Sequence, residues 1–238
     1  AASDPGGRSM QTVVTPSGEF LLSANYVGDA SVSSVQIESG CGVRVADVSQ
    51  DPAWSTRDKI HGVVSVGKLA YVCAYTLEKV YVYSMSPSSG ALTQISDVST
   101  PSGCSPRHAV QHPRAPFLYV ICESSGDVLT FSEADDGLSL TLVQTSTLSC
   151  PSSNCKASEL AMLPDGSTLY ASNRGTQSTV TAYKVGAGDG RLTYLQQIAA
   201  PTYPRAMTLA LAGQLMLVAG ESQTELVSFS VQPDGKLM

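Results

Sequence analysis

Short apolar runs rich in Val, Tyr, Leu and Ala recur along the whole chain, each closed after a few residues by Gly, Pro, Ser or Asp. Runs of that length with that punctuation predict strands, and no stretch shows the spacing of an amphipathic helix. Phe20-Leu21-Leu22-Ser23-Ala24-Asn25-Tyr26 aligns with residues 69–75, 117–123, 168–174 and 215–221, whose last residues lie 49, 48, 51 and 47 positions apart in turn. Each period holds four strand patterns. The clearest set is 158–163, a Pro164-Asp165-Gly166 turn, 168–172, 179–185 and 192–198. Four antiparallel strands in each of five successive periods predict an all-β chain built as a β-propeller of four-stranded blades.

The first period opens near Met10 on its innermost strand, and the fifth stops at Met238 after its third strand. Residues 1–9 are therefore expected to form an N-terminal extension without a strand, and 10–238 a single propeller domain. Five blades predict either an open array or part of a larger ring. An open array leaves two apolar blade faces to be covered, by further sequence or by another chain, so a homo-oligomer or association through those faces is expected.

Composition narrows the function. The 238 residues carry 14 Lys+Arg against 20 Asp+Glu, a net charge of −6, which excludes a basic nucleic-acid binder. No apolar run approaches the roughly 18 to 20 residues of a membrane-spanning helix, so no membrane partner is expected. The opening Ala1-Ala2-Ser3-Asp4-Pro5-Gly6-Gly7 has no signal-peptide core, which places a cytoplasmic location ahead of a secreted one. Among six cysteines, Cys73 and Cys122 fall inside apolar strand patterns and read as buried free thiols. Cys150 and Cys155 bracket a loop short enough to close a small disulfide. No second Cys or His pair stands at ligand spacing, so no metal site is expected. The glycine-rich 186–190 joins two strands rather than opening a helix, which argues against a phosphate loop. Trp54 reads as a packing residue and His112 as a surface residue.

Equivalent positions in successive blades occupy equivalent places, so polar departures from the blade template mark candidate functional residues. At the start of the first strand these are His61, Arg107 with His108, Glu159, and Arg205. At the end of the second strand the series runs Tyr26, Tyr75, Glu123, Arg174, Glu221. Antiparallel neighbours bring both series to one edge of each blade, and hence to one mouth of a central channel. Arginines there suit a small anionic substrate, since a guanidinium grips a carboxylate or phosphate through two parallel hydrogen bonds. A His and a Glu beside them supply a proton donor and acceptor. The competing reading is an inter-blade salt-bridge network.

Three segments resemble the seven-bladed lactonase propellers, a family that includes 6-phosphogluconolactonase and the fungal 3-carboxy-cis,cis-muconate lactonizing enzyme. Gly103-Cys104-Ser105-Pro106-Arg107-His108 is similar to the family's Gly-x-Gly-Pro-Arg-His, with Ser105 in place of the second Gly. Tyr119-Val120-Ile121-Cys122-Glu123 is similar to its strand ending in Glu. Pro164-Asp165-Gly166 followed by Tyr170-Ala171-Ser172-Asn173-Arg174-Gly175 is similar to its Pro-Asp-Gly…Leu-Tyr-x-Ser-Asn-Arg-Gly blade. The resemblance implies a metal-free and cofactor-free enzyme within a seven-bladed ring, with His61 and Glu123 catalytic and Arg107 and Arg174 binding substrate; the blade comparison adds His108 and Arg205 as substrate-binding residues. The resemblance implies, first, cycloisomerisation between a carboxymuconate and its muconolactone. Two alternatives stand beside that reading: hydrolysis of 6-phosphogluconolactone or a related sugar lactone, and a non-catalytic truncated propeller acting as a binding scaffold.

Overall fold

The computed structural model describes residues 8–27, 30–40, 42–50, 54–55, 57–150, 154–222 and 224–238. Its strands form five sheets. The first holds β1 (Arg8–Val14), β2 (Phe20–Val27), β3 (Ser31–Ile37) and β4 (Val43–Ser49), and the second β5 (Ile60–Val66), β6 (Leu69–Ala74), β7 (Lys79–Met85) and β8 (Leu92–Ser99). The third holds β9 (Pro106–Gln111), β10 (Phe117–Cys122), β11 (Asp127–Glu133) and β12 (Leu140–Thr147), and the fourth β13 (Ala157–Met162), β14 (Thr168–Arg174), β15 (Ser178–Val185) and β16 (Leu192–Ala199). The fifth has three strands, β17 (Pro204–Ala210), β18 (Leu215–Gly220) and β19 (Leu226–Ser230). Strands follow one another in sequence order within every sheet, the up-and-down pattern of propeller blades. β1 starts at Arg8, so Arg8 and Ser9 belong to the first strand rather than to an extension. Their pairing with Val27 and Asn25 is a backbone matter that a hydrophobic pattern does not mark. Residues 1–7 lie outside the described residues.

Burial explains why the pattern was readable. β10 and β14, second in their sheets, are buried at every position, whereas the fourth strands β8, β12 and β16 are exposed or half-buried after their first residue. A strand covered on both faces reads as a near-continuous apolar run, and an outer strand as a mixed one.

The chain divides into two compact units; the first runs to Ala109 and includes Ala134–Leu140, and the second comprises Val110–Glu133 and Thr141–Met238. Within the first, Phe20, Leu22, Val32, Ile60, Val72 and Tyr83 form one apolar core. Trp54, expected to pack, lies edge-on to Tyr81 and donates its indole N–H to the Tyr81 hydroxyl at 3.1 Å. Within the second, Tyr119, Ile121, Leu169 and Ala171 form one core, and Tyr170, Met207, Met216 and Val218 another.

A repeated clasp fastens each sheet to the next inside both units. The Tyr71 hydroxyl donates to the Gly137 carbonyl at 3.1 Å, Tyr119 to Gly190 at 2.9 Å and Tyr170 to Gly235 at 2.7 Å. Where the first sheet carries Leu22 in place of that tyrosine, Ser34 supplies the hydroxyl and donates to Gly90 at 2.6 Å. A second bond lies beside the first in the later sheets. Gln144 exchanges two hydrogen bonds with the backbone of Leu192, and Gln196 two with Leu237. These bonds satisfy hairpin amides and carbonyls that apolar packing alone would leave unmade.

The cysteines divide differently from expectation. Cys150 and Cys155 form a disulfide. Cys104 and Cys122 are each disulfide-bonded as well, which corrects the free thiol expected at Cys122. Cys122 ends its strand one position beyond the place matching Cys73, so its side chain leaves by the opposite face of its sheet. Cys73 is free and fully buried, and burial pushes its thiol up to about 12.

Candidate functional site

Pairing between the first and second strands slips at the same place in four sheets. The register breaks between Ser9 and Gln11, Ile60 and Gly62, Ala157 and Leu160, and Pro204 and Ala206. The residues left over are Met10, His61, Ser158 with Glu159, and Arg205. A β-bulge kinks the strand and re-aims the extra side chain out of the regular alternation. Three of these four bulges hold a residue that the blade comparison had singled out.

In the first unit, β5 and β9 bring His61, Arg107 and His108 together. The His61 and His108 rings meet edge to face with centroids 4.9 Å apart, and Arg107 Nη1 lies 3.5 Å from His108 Nδ1. Tyr26, Tyr75 and their neighbour Lys59 cover the group: Tyr26 lies 5.2 Å from the His61 ring, Tyr75 6.1 Å, and Lys59 Nζ 4.9 Å from the Tyr26 centroid. All three predicted residues are buried, Arg107 being 2% exposed. Gly62 makes this approach feasible, since a Cβ there would overlap the Arg107 carbonyl oxygen and touch the His108 Cα. Gln11 pins the same point by accepting the Val63 N–H at 2.8 Å.

In the second unit, Glu123 and Arg174 form an ion pair, Arg174 Nη2 to Glu123 Oε2 at 2.6 Å. Arg174 is 6% exposed although it carries a full charge. Asn173 sets the turn that delivers it. Its Oδ1 accepts the N–H of Lys156 at 2.9 Å and of Gly175 at 3.2 Å, and its Nδ2 donates to the Gln177 carbonyl at 2.9 Å. Gly175 is required because a Cβ would overlap the Asn154 carbonyl oxygen. The Ser-Asn-Arg-Gly stretch is thus a device for ending a buried strand on an arginine. Arg174 Nε is buried with no hydrogen-bond partner among the described residues. A buried donor without a partner is costly.

Arg205 pairs instead with Glu221, and both are partly exposed. Glu159 turns back on its own strand, where its Oε1 accepts the Leu160 N–H at 3.0 Å. The ion-pair reading therefore describes Arg205 with Glu221, and it describes only one edge of Arg174. Tyr203, which the blade comparison did not single out, lies against Arg174, with the guanidinium carbon 5.3 Å from its ring centroid.

Elsewhere in the second unit a cleft of ≈ 410 Å³ opens between Arg114, Asp165, Ser167, Gln214 and Gln232, at the turns that lead into β14 and β18 and so at the other end of those strands from Arg174. None of the predicted site residues lines it. His112 is half-buried rather than a free surface residue. Its ring lies against Gly166 and its Nδ1 accepts the Arg114 N–H at 3.1 Å. Among the described residues no three His, Cys, Asp or Glu side chains gather as a metal site, and no helix is long and apolar enough to cross a membrane.

Comparison with known proteins agrees with the fold. The chain is 26% identical over 238 residues to the 6-phosphogluconolactonase of Cronobacter sakazakii, covering 93% of this chain and 66% of that protein. It is 26% identical over 226 residues to the 6-phosphogluconolactonase of Serratia proteamaculans, covering 92% and 66%. The chain thus spans just under two thirds of the length of these relatives. The structure of the Pseudomonas aeruginosa periplasmic gluconolactonase PpgL superposes with a TM-score of 0.84 at 26% identity, covering 95% of this chain and 67% of that one. A protein from Lactobacillus plantarum superposes with a TM-score of 0.87 at 23% identity, over 97% and 69%, a likeness of fold. Residues 1–238 match the family described as Lactonase, 7-bladed beta-propeller. Five successive up-and-down sheets, together with a match that spans the whole chain, place this protein in the seven-bladed β-propeller lactonase family.

Proposed function

We propose that the protein belongs to a lactone hydrolase acting on an anionic sugar lactone of the 6-phosphogluconolactone type. The observation that carries the reading is Arg174, a buried guanidinium with an ion pair on one amino group and no acceptor at Nε among the described residues. Such a group binds an oxyanion edge-on with charge-assisted hydrogen bonds. Hydrolysis is favoured over the cycloisomerisation expected first because the relatives at 26% identity are named 6-phosphogluconolactonase and gluconolactonase. In the reaction water adds to the lactone carbonyl, the ring C–O bond breaks, and the departing alkoxide takes up a proton to give the hydroxy acid. In the second unit proton transfer falls to Glu123, and Arg174 holds an anionic oxygen. The disulfides at Cys104, Cys122 and Cys150–Cys155 favour an oxidising compartment over the cytoplasm, in line with the periplasmic location in the name of the Pseudomonas aeruginosa protein.

Lactone opening followed at constant pH, with the spontaneous rate subtracted, tests this reading. The phosphorylated lactone is expected to react faster than the neutral sugar lactone. Arg174→Ala is expected to lower kcat/KM by about 100-fold, the scale of one charge-assisted contact in a dry site. A folded protein that accelerates neither lactone would leave a non-catalytic binding propeller.

A further inference from the structure

Arg174 touches one group that neither the blade template nor the ion pair accounts for. Tyr203 lies just before Pro204-Arg205 with φ at 61°, a left-handed conformation that an aromatic residue rarely adopts and that a following proline disfavours further. The backbone is pinned on both sides. The Tyr203 N–H donates to Ser178 Oγ at 3.0 Å, and its carbonyl accepts the Glu221 N–H at 2.9 Å. Strain held in this way persists only where the surroundings over-determine it, and it concentrates at functional sites.

The third sheet contains the same turn without the ring. Ser105 precedes Pro106-Arg107 with φ at 53°, and its N–H donates to the Glu78 carboxylate at 3.0 Å. Glu78 stands just before β7 and Ser178 opens β15, so the two turns are built by one scheme. A serine suffices for the backbone. The aromatic ring at 203 adds only what it covers, and it covers the Arg174 guanidinium at 5.3 Å.

We propose that Tyr203 is a positioning residue that sets the plane of Arg174 for binding an anion. Glu123 holds the guanidinium from within its plane through Nη2, and the Tyr203 ring restrains it from the side. The two constraints together aim the remaining donors, Nε among them, along one direction. The role in turnover rests on the lactonase reading, whereas the role in anion binding stands without it.

The test compares Tyr203→Phe and Tyr203→Asn with the wild type, each alone and combined with Arg174→Lys, by titration with inorganic phosphate and by lactone kinetics. Asn accepts a positive φ, so Tyr203→Asn keeps the turn while removing the ring. It is expected to weaken phosphate about fivefold and to raise KM more than it lowers kcat, the loss of one partly buried cation–π contact. Its thermal midpoint stays within a few degrees of that of Tyr203→Phe, and Tyr203→Phe restores the affinity to within about twofold. In the Arg174→Lys background the effect of Tyr203→Asn shrinks, because the two residues act as one unit. Equal affinities for Tyr203→Asn and Tyr203→Phe, full additivity with Arg174→Lys, or a wild type that binds no phosphate would each overturn the proposal. A wild type that opens no lactone but shows the coupling on phosphate would refute the lactonase reading and leave this one standing.

Discussion

Replacing Glu123 by Gln separates a structural ion pair from a functional one. Arg174 is buried and Glu123 has a side chain 21% exposed, with N···O 2.6 Å. Two charges about 4 Å apart attract by about 4 kcal/mol at the effective dielectric of a protein surface, and desolvation of both takes back part of that. Losing one partner of a buried pair costs about 3 to 5 kcal/mol. The glutamine amide oxygen still accepts from Nη2, and water reaches the position, so about 2 kcal/mol is expected. At about 2 to 4 °C per kcal/mol for a chain of this size, the thermal midpoint falls by about 4 to 8 °C. In urea the midpoint falls with the slope unchanged. Phosphate affinity is expected to move the other way, rising severalfold, because Arg174 keeps its charge and loses the carboxylate that offsets it. Lactone turnover falls by about 10²-fold or more if Glu123 transfers a proton. If stability and phosphate affinity fell together, Glu123 would act only by holding Arg174 in place. A stability loss below about 0.5 kcal/mol, the level of an exposed pair, would refute the burial argument itself.

Three further outcomes follow from the clasps, the turns and the disulfide. Tyr170→Phe removes the donor to the buried Gly235 carbonyl and is expected to cost about 1 to 2 kcal/mol by chemical denaturation, with Tyr119→Phe doing the same at Gly190; an unchanged midpoint would show the clasp to be incidental. His112 has its pKa lowered below the ordinary histidine value, chiefly by burial, so the folded state favours the neutral ring. Its contribution to stability is fully present above about pH 6.5 and is lost as pH falls through the lowered folded value, and His112→Gln is expected to flatten the stability profile in that acid window. Cys150→Ser with Cys155→Ser opens a loop with a sequence separation of 5, which the chain-entropy account values at about 2 kcal/mol. Without that bond the turn at Gly126, against which both sulfurs pack, loses its support, and thermal melts of the oxidised and the substituted protein should differ accordingly.

The fold was legible because strands buried on both faces leave an unmistakable trace. Residues 168–172 were marked as a strand by Leu169, Tyr170 and Ala171, and the structure extends that strand by only two residues, to Arg174. The ends of the same strands carry the candidate residues, because a charged residue at the tip of an apolar run stands out when five copies are compared. His61, Arg107 and His108 do converge, and so do Glu123 and Arg174. Arg205 was read as a ligand-binding residue by position alone, and its partner Glu221 was visible in the same series without the pairing being evident. Two features left no trace. Tyr203 looks like any residue before a proline, since nothing in its type announces a positive φ. Cys122 sits in an apolar run, and such a run says how deep a thiol lies but not what it meets.

The bulges explain how a strand that is buried along its length can still present a polar group. In β13 regular alternation would send every second side chain into one packed face and the rest into the other. An arginine or glutamate placed in that alternation would have to be buried against apolar neighbours, at a cost that outweighs what the strand gains by pairing. One extra residue breaks the alternation locally: Pro204 pairs with Gly220 and Ala206 with Ala219, and Arg205 is free to reach Glu221. The same slip frees His61 between Ile60 and Gly62. The residue type at the bulged position varies from sheet to sheet, as Met10, His61, Ser158 with Glu159, and Arg205, while the strands on either side keep to one template.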